Sequence, residues 1–182
     1  MEELCQLYSE QGLPLEDRGA NKTDIFSKGL LHGASHVWIW RNNENNPEIL
    51  VQKRAASKRT WPNRYDISAA GHIDLGEEPL TAALRETKEE INLDIELSAL
   101  KLFSIHRAHL TAENGSIENE LQWLYALKLS NDVSFALQTE EVASLKWLPL
   151  DEFKTNYHTE EFVPHGEVYY QTVIKAIEFE LI

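Results

Sequence analysis

The sequence predicts an α+β layered fold. Two observations carry that prediction. Several short segments rich in Val, Ile, Trp and Leu are bounded by turn-forming residues and read as strands. Between and after them lie two segments of helical character, Pro79–Ile91 and a closing stretch at about 166–179. The bulk composition agrees: 182 residues, 42% hydrophobic and 26% charged, suit one globular domain with a core of ordinary size.

Residues 1–30 read as an N-terminal extension with a small hairpin around Gln11-Gly12. Residues 34–41 (ASHVWIWR) and 48–54 (EILVQKR) read as strands, and the run Asn42 to Pro47 between them as a hairpin turn. A polar loop, SKRTWPNR, follows, and 66–73 reads as a further strand. Pro79 is suited to the first position of a helix that runs to about Ile91, with Asn92 as its C-terminal cap. Leu80, Ala83, Leu84, Thr87 and Ile91 form its apolar stripe, expected on the side away from its acids. Residues 95–108 and 119–129 read as long strands around a turn at Asn114-Gly115, and 143–149 as a short strand ending near Trp147.

The formal net charge of −13 argues against nucleic-acid binding, which needs a cationic footprint. The acidic start MEELCQLYSEQG has no apolar core for a signal peptide, and no run is long enough to span a membrane. The single cysteine, Cys5, excludes an internal disulfide and fits a reducing cytoplasm. A symmetric homodimer is common at this size, and the sequence neither requires nor excludes one.

The stretch GHIDLGEEPLTAALRETKEEINL is the most informative. Glu86, Glu89 and Glu90 stand at i, i+3 and i+4, which puts three carboxylates on one helix face. A solvated surface is the plain reading of such a run. A cation site is the sharper one, because clustered carboxylates suit hard ions such as Mg²⁺ or Mn²⁺. Arg85 lies beside the cluster, with Glu77 just upstream to pair with it. Lys53, Arg54, Lys58, Arg59 and Arg64 form a basic island in an acidic chain. Its plain reading is a solubilising loop; its functional reading is an anion site built from forked guanidiniums and a lysine point charge. Trp38 and Trp40 read as core or pocket wall. Trp61 lies in the basic loop, where its ring is placed to stack on a ligand.

These residues resemble the Nudix box, G-x5-E-x7-R-E-U-x-E-E-x-G-U with U aliphatic, matched by Gly71, Glu77, Arg85, Glu86, Glu89, Glu90 and Leu93. Thr87 stands where an aliphatic residue is usual and Asn92 where glycine is usual; neither departure removes a charge. The resemblance implies a mixed sheet sandwiched between helices over residues 31–182, and hydrolysis of a small-molecule diphosphate with Mg²⁺ or Mn²⁺. It further implies Glu86, Glu89 and Glu90 as metal ligands and Arg85 and Glu77 as the pair that orients their helix.

A second resemblance is to type I isopentenyl-diphosphate isomerase, itself of Nudix fold. Arg54 and Lys58 match its diphosphate-binding pair, and Trp61-Pro62 and Gly71-His72 match further. His32 fits a metal-binding histidine, and Glu118-Asn119-Glu120 an E-N-E motif with metal and acid/base roles. The resemblance thus implies Arg54, Lys58, Trp61 and His72 as substrate-side residues, and Glu120 as an added ligand or base. The departures decide the chemistry. The catalytic cysteine of the isomerases is replaced by Ala70, which has no group to move a proton, and a second metal histidine by Ile25. The expectation is therefore a metal-dependent hydrolase. The alternatives are an isomerase working with other residues, or a binding module that has kept the fold.

Overall fold

A computed structural model describes residues 3–44, 46–130 and 133–179. Asn45 of the expected hairpin turn, residues 1 and 2 of the extension and the last three residues of the chain lie outside the described residues. The elements are β1 (Cys5–Tyr8), β2 (Pro14–Ala20), α1 (Lys22–Lys28), β3 (His32–Asn43), β4 (Asn46–Arg54), β5 (Tyr65–Asp66), β6 (Ala69–His72), α2 (Pro79–Ile91), a 3₁₀ turn (Leu97–Ala99), β7 (Lys101–Thr111), β8 (Ile117–Lys128), β9 (Val142–Pro149), α3 (Leu150–Asn156) and α4 (Glu167–Glu178).

Strand β3 is the axis of the molecule. It pairs antiparallel with β4 and β6, parallel with β8 from His32↔Glu120 to Trp40↔Lys128, and touches β1 at Leu7↔His32. β8 carries β7, and β4 carries β9 and β5. Alternation along β3 sends its side chains to two cores. Trp38 and Trp40 pack with Phe153 of α3 and Tyr169, Tyr170 and Val173 of α4. Val37 and Ile39 pack with Ala83 and Ile91 of α2. The sheet is thus covered by helices on both faces, as the α+β Nudix reading requires. Among the described residues, no helix is long and apolar enough to cross a membrane.

Three elements depart from the sequence reading. The stretch 66–73 is two strands, because the Ser68 hydroxyl plugs the seam between β3 and β4: it accepts from Ile39 N–H at 2.8 Å and donates to Leu50 O at 2.6 Å. The chain thereby passes from pairing with β4 to pairing with β3. The strand expected from residue 95 begins at Lys101, since residues before it form the 3₁₀ turn closed by Ala99 N–H to Glu96 O. Helix α1 was not anticipated, although its ends are marked: Asn21 Oδ1 caps Asp24 N–H at 2.9 Å, and Gly29 ends it at φ 62°. Within residues 3–30, β1 and β2 pair antiparallel and α1 buries Ile25 and Phe26.

Candidate active site

Helix α2 begins at Pro79 and ends at Ile91, and Asn92 beyond it, at a φ of 53°, supplies the left-handed cap. Its fixed point is Arg85. The guanidinium donates to both oxygens of Glu77 (3.1 and 2.9 Å), to Glu86 (2.6 Å), to Glu89 (3.3 Å) and to His72 O (2.9 Å). One side chain therefore ties the helix to the loop before it and to the end of β6. Burial disfavours the Arg85 charge, but Glu77 and Glu86 outweigh it and hold the pKa above the usual arginine range.

The three acids of α2 do not share one surface. Adjacent residues on a helix point about 100° apart, so Glu89 and Glu90 straddle Glu86. Glu90 is buried beneath the sheet side, 3% exposed, where it accepts from Ala70 N–H (3.0 Å) and Gln52 Nε2 (3.2 Å). Glu89 faces outward with its side chain half exposed. The apolar stripe consequently includes one of the acids it was expected to avoid. Burial pushes Glu90 up to about 8 and raises Glu86, the latter against the pull of Arg85. Gly71 lies directly under Glu86, where a Cβ would collide with the carboxylate.

Glu86 and Glu90 border a cavity of about 450 Å³. Its second acidic wall comes from β8. Glu120 Oε1 lies 3.4 Å from His32 Nε2 and 3.9 Å from His72 Nε2. One ligand-type atom from each of the three residues falls within 4.8 Å of the others. His32 Nδ1 faces Leu30 O at 2.8 Å, and a carbonyl can only accept, so Nδ1 carries a proton. His32 Nε2 is buried and has no hydrogen-bond partner among the described residues. A nitrogen so oriented by a carbonyl behind it suits a cation. Burial opposes the His32 charge, yet Glu120 raises its pKa; burial and the His32 charge lower His72 to about 3. Burial would raise Glu120, but His32, 3.4 Å away, and the other histidines hold it below the usual carboxylate range. Glu118, bordering the same cavity, is pushed up to about 7 by burial and by Glu120.

The basic island divides. Arg54, Lys58 and Arg59 border the cavity; Lys53 and Arg64 do not. Arg54 is already engaged, with Asp66 Oδ2 at 2.9 Å and Thr60 O at 2.9 and 3.1 Å. Lys58 pairs with Glu141, and Arg59 lies 5.4 Å over the Phe26 ring. Trp61, expected to stack on a ligand, borders the cavity but is 8% exposed and packs with Ala112 and Val163. It also has a φ of 42°, a strained conformation for a bulky residue. Ala70 borders the cavity, while Cys5 does not and is buried in a cluster with Ile25 and Phe26, its thiol pushed up to about 11 by burial.

Sequence reasoning did not single out Lys22, His36, Asp66 and His165 as site residues, although all four border the same cavity. No local spacing joins them: His165 meets Asp66 across 99 positions of chain, and His36 meets Tyr169 across 133.

The family model for the NUDIX domain matches residues 31–170. An uncharacterised Nudix hydrolase of Listeria innocua is 36% identical over 141 residues, 75% of each chain. The Nudix hydrolase 3 of Arabidopsis thaliana is 32% identical over 158 residues, 82% of this chain but only 20% of that one. An isopentenyl-diphosphate Delta-isomerase of Aliivibrio fischeri is 32% identical over 150 residues, 81% of this chain and 80% of that one. Among solved structures, one from Deinococcus radiodurans superposes with a TM-score of 0.67 at 19% identity, covering 94% of this chain and 98% of its own.

Proposed function

The chain belongs to the Nudix hydrolase family, whose members split pyrophosphate linkages, and from that premise we propose that it hydrolyses an organic diphosphate with Mg²⁺ or Mn²⁺. The supporting observation is one cavity bordered by both Glu86, Glu90, Glu120 and His72 and by Arg54, Lys58 and Arg59, with His32 beside Glu120 and His72. In a protein of charge −13 a polyanion has few such places to settle.

The carboxylates fit hard cations by donor type, and the buried His32 Nε2 beside Glu120 adds a nitrogen donor that suits Mn²⁺ better than Mg²⁺. Glu86, Glu90 and Glu120 would hold the ions directly, and Glu89 would turn in from the rim. Bound there, the metal would neutralise charge on the diphosphate and lower the pKa of water. Arg85 and Glu77 fix the helix that presents Glu86 and Glu90. Lys58 and Arg59 hold the diphosphate oxygens, and Arg54 supports them through Thr60 and Asp66. In the reaction one P–O bond to the bridging oxygen breaks and one to water oxygen forms. The proton released passes to a carboxylate of the cavity wall.

A phosphate-release screen over nucleotide sugars, dinucleotides, nucleoside triphosphates and isoprenoid diphosphates, each with Mg²⁺ and Mn²⁺, tests the reading. Glu90→Gln should lower turnover at least a hundredfold while the fold survives; full activity of that variant on every hydrolysed compound would overturn the ligand assignment. The His32–His72–Glu120 cluster and the isomerase relatives favour a second reading, conversion of isopentenyl to dimethylallyl diphosphate. Ala70 at the cavity wall counts against it, and dimethylallyl product assayed in the same screen decides.

A further inference from the structure

One end of the cavity carries polar groups that diphosphate hydrolysis leaves unused. His36 of β3 and His165, just ahead of α4, border it with ring centroids 5.7 Å apart. Each ring is fixed through one nitrogen. Trp38 Nε1 can only donate, and it donates to the Tyr169 hydroxyl at 3.1 Å. Among the described residues that hydroxyl has no acceptor for its own proton other than His36 Nδ1, at 2.7 Å. His36 Nδ1 is therefore an acceptor, and the proton of the neutral ring sits on Nε2, which has no hydrogen-bond partner among the described residues. Burial keeps the ring neutral, lowering its pKa to about 4.

His165 has the opposite arrangement. Its Nε2 lies 2.8 Å from Asp66 Oδ1 and donates to it, while Arg54 braces the other carboxylate oxygen at 2.9 Å. The ring also stacks on Tyr169 with centroids 4.6 Å apart. In the neutral ring Nδ1 is then an acceptor, buried and without a partner among the described residues. The side chain is 7% exposed, so bulk water does not supply one freely. The two histidines thus offer one unpaired donor and one unpaired acceptor, held in place by partners of their own.

We propose that this His36–His165 end selects the organic moiety of the substrate, taking a neutral group that accepts from His36 and donates to His165. A sugar hydroxyl or the edge of a nucleobase has that character; a hydrocarbon tail does not, and would leave both nitrogens unpaired. The inference rests on the diphosphate reading of the same cavity and narrows it to nucleoside-type or sugar diphosphates.

Equilibrium binding tests it, measured by calorimetry with Ca²⁺ in place of Mg²⁺ to hold back turnover. The probes are ADP-ribose, 5-phosphoribosyl 1-diphosphate, dimethylallyl diphosphate and inorganic diphosphate. The wild-type protein should bind at least one of the first two ten times more tightly than dimethylallyl diphosphate. His165→Gln keeps an amide to donate to Asp66 and removes the Nδ1 acceptor. It should weaken the preferred sugar-bearing ligand about tenfold and change dimethylallyl and inorganic diphosphate less than twofold. Loss with both sugar-bearing probes assigns the sugar hydroxyls; loss with ADP-ribose alone assigns the base. Equal or tighter wild-type binding of dimethylallyl diphosphate overturns the proposal, as does an equal loss on all ligands. If none of the four binds, the diphosphate reading fails with it. Should the variant not fold, the wild-type comparison decides alone.

Discussion

Gly71 sits under the Glu86 carboxylate, in a space that any side chain would fill. Gly71→Ala should push Glu86 off the position in which Arg85 holds it. Misplacing a reacting group by about 1 Å costs on the order of 10²-fold in rate, so turnover should fall by that factor. The melting temperature should move only a few degrees, because the Glu86 side chain can swing toward the cavity. Steady-state kinetics beside a thermal melt check both; full turnover in the variant would show that Glu86 needs no fixed position. Arg85 and Glu77 were legible as a pair because they lie eight positions apart on one loop and helix. No comparable local signal marks the split between Glu89 and Glu90. Helical spacing groups i, i+3 and i+4 on one side, but which of two neighbours sinks depends on what lies below. Here the Ala70 N–H and Gln52 amide draw Glu90 in.

Among the elements, α2 was readable to its ends, since its start, stripe and cap are all local signals. Its unusual Thr87 is fully buried and donates to Ala83 O at 2.7 Å, one turn back. That carbonyl also serves the helix, so removing the hydroxyl orphans nothing. Thr87→Val keeps the shape, removes a buried polar group and should be neutral or stabilising by up to about 1 kcal/mol. Urea unfolding measures it, and a loss above that size would show the Thr87 bond to be a needed part of α2. The break between β5 and β6 was not readable. Ser68 bonds to Ile39 and Leu50, distant in sequence, and nothing in DISAAGHI marks it as a plug rather than a strand residue. Helix α1 was readable from Asn21 and Gly29, yet its seven residues are too few to show a periodic stripe.

At the scale of the whole molecule, the His36 contribution to stability should fall in mild acid, as should that of His72, while the raised Glu90 and Glu118 carboxyls act the other way. Burial lowers the His36 pKa to about 4 in the fold against an ordinary 6.5. Between those values the unfolded chain binds the His36 proton and the folded chain does not, so this contribution is full above 6.5 and is lost as pH drops toward 4. The shift corresponds to on the order of 3 kcal/mol. Asp66 acts in the same direction at lower pH: burial would raise it, but His165 and Arg54 hold it below the usual range, so its contribution is lost as acid protonates it. Denaturant unfolding at stepped pH, with His36→Gln as the comparison, should show a flatter slope between 6.5 and 4 for the variant; identical slopes would exclude His36 as the cause.

The sequence by itself determined the candidate machinery, because the box is a short-range pattern. The spacing of Arg85, Glu86, Glu89 and Glu90 on one helix is fixed by 3.6-residue geometry, with Gly71 and Glu77 a few residues upstream. The tertiary structure alone decided what stands opposite that helix. Parallel pairing of β3 with β8 brings His32 beside Glu120, and the packing of α4 on β3 brings Tyr169 to His36. The segment ahead of α4 carries His165 to Asp66. Those partners are far apart along the chain, and only the closing of the sheet between its helices makes them neighbours.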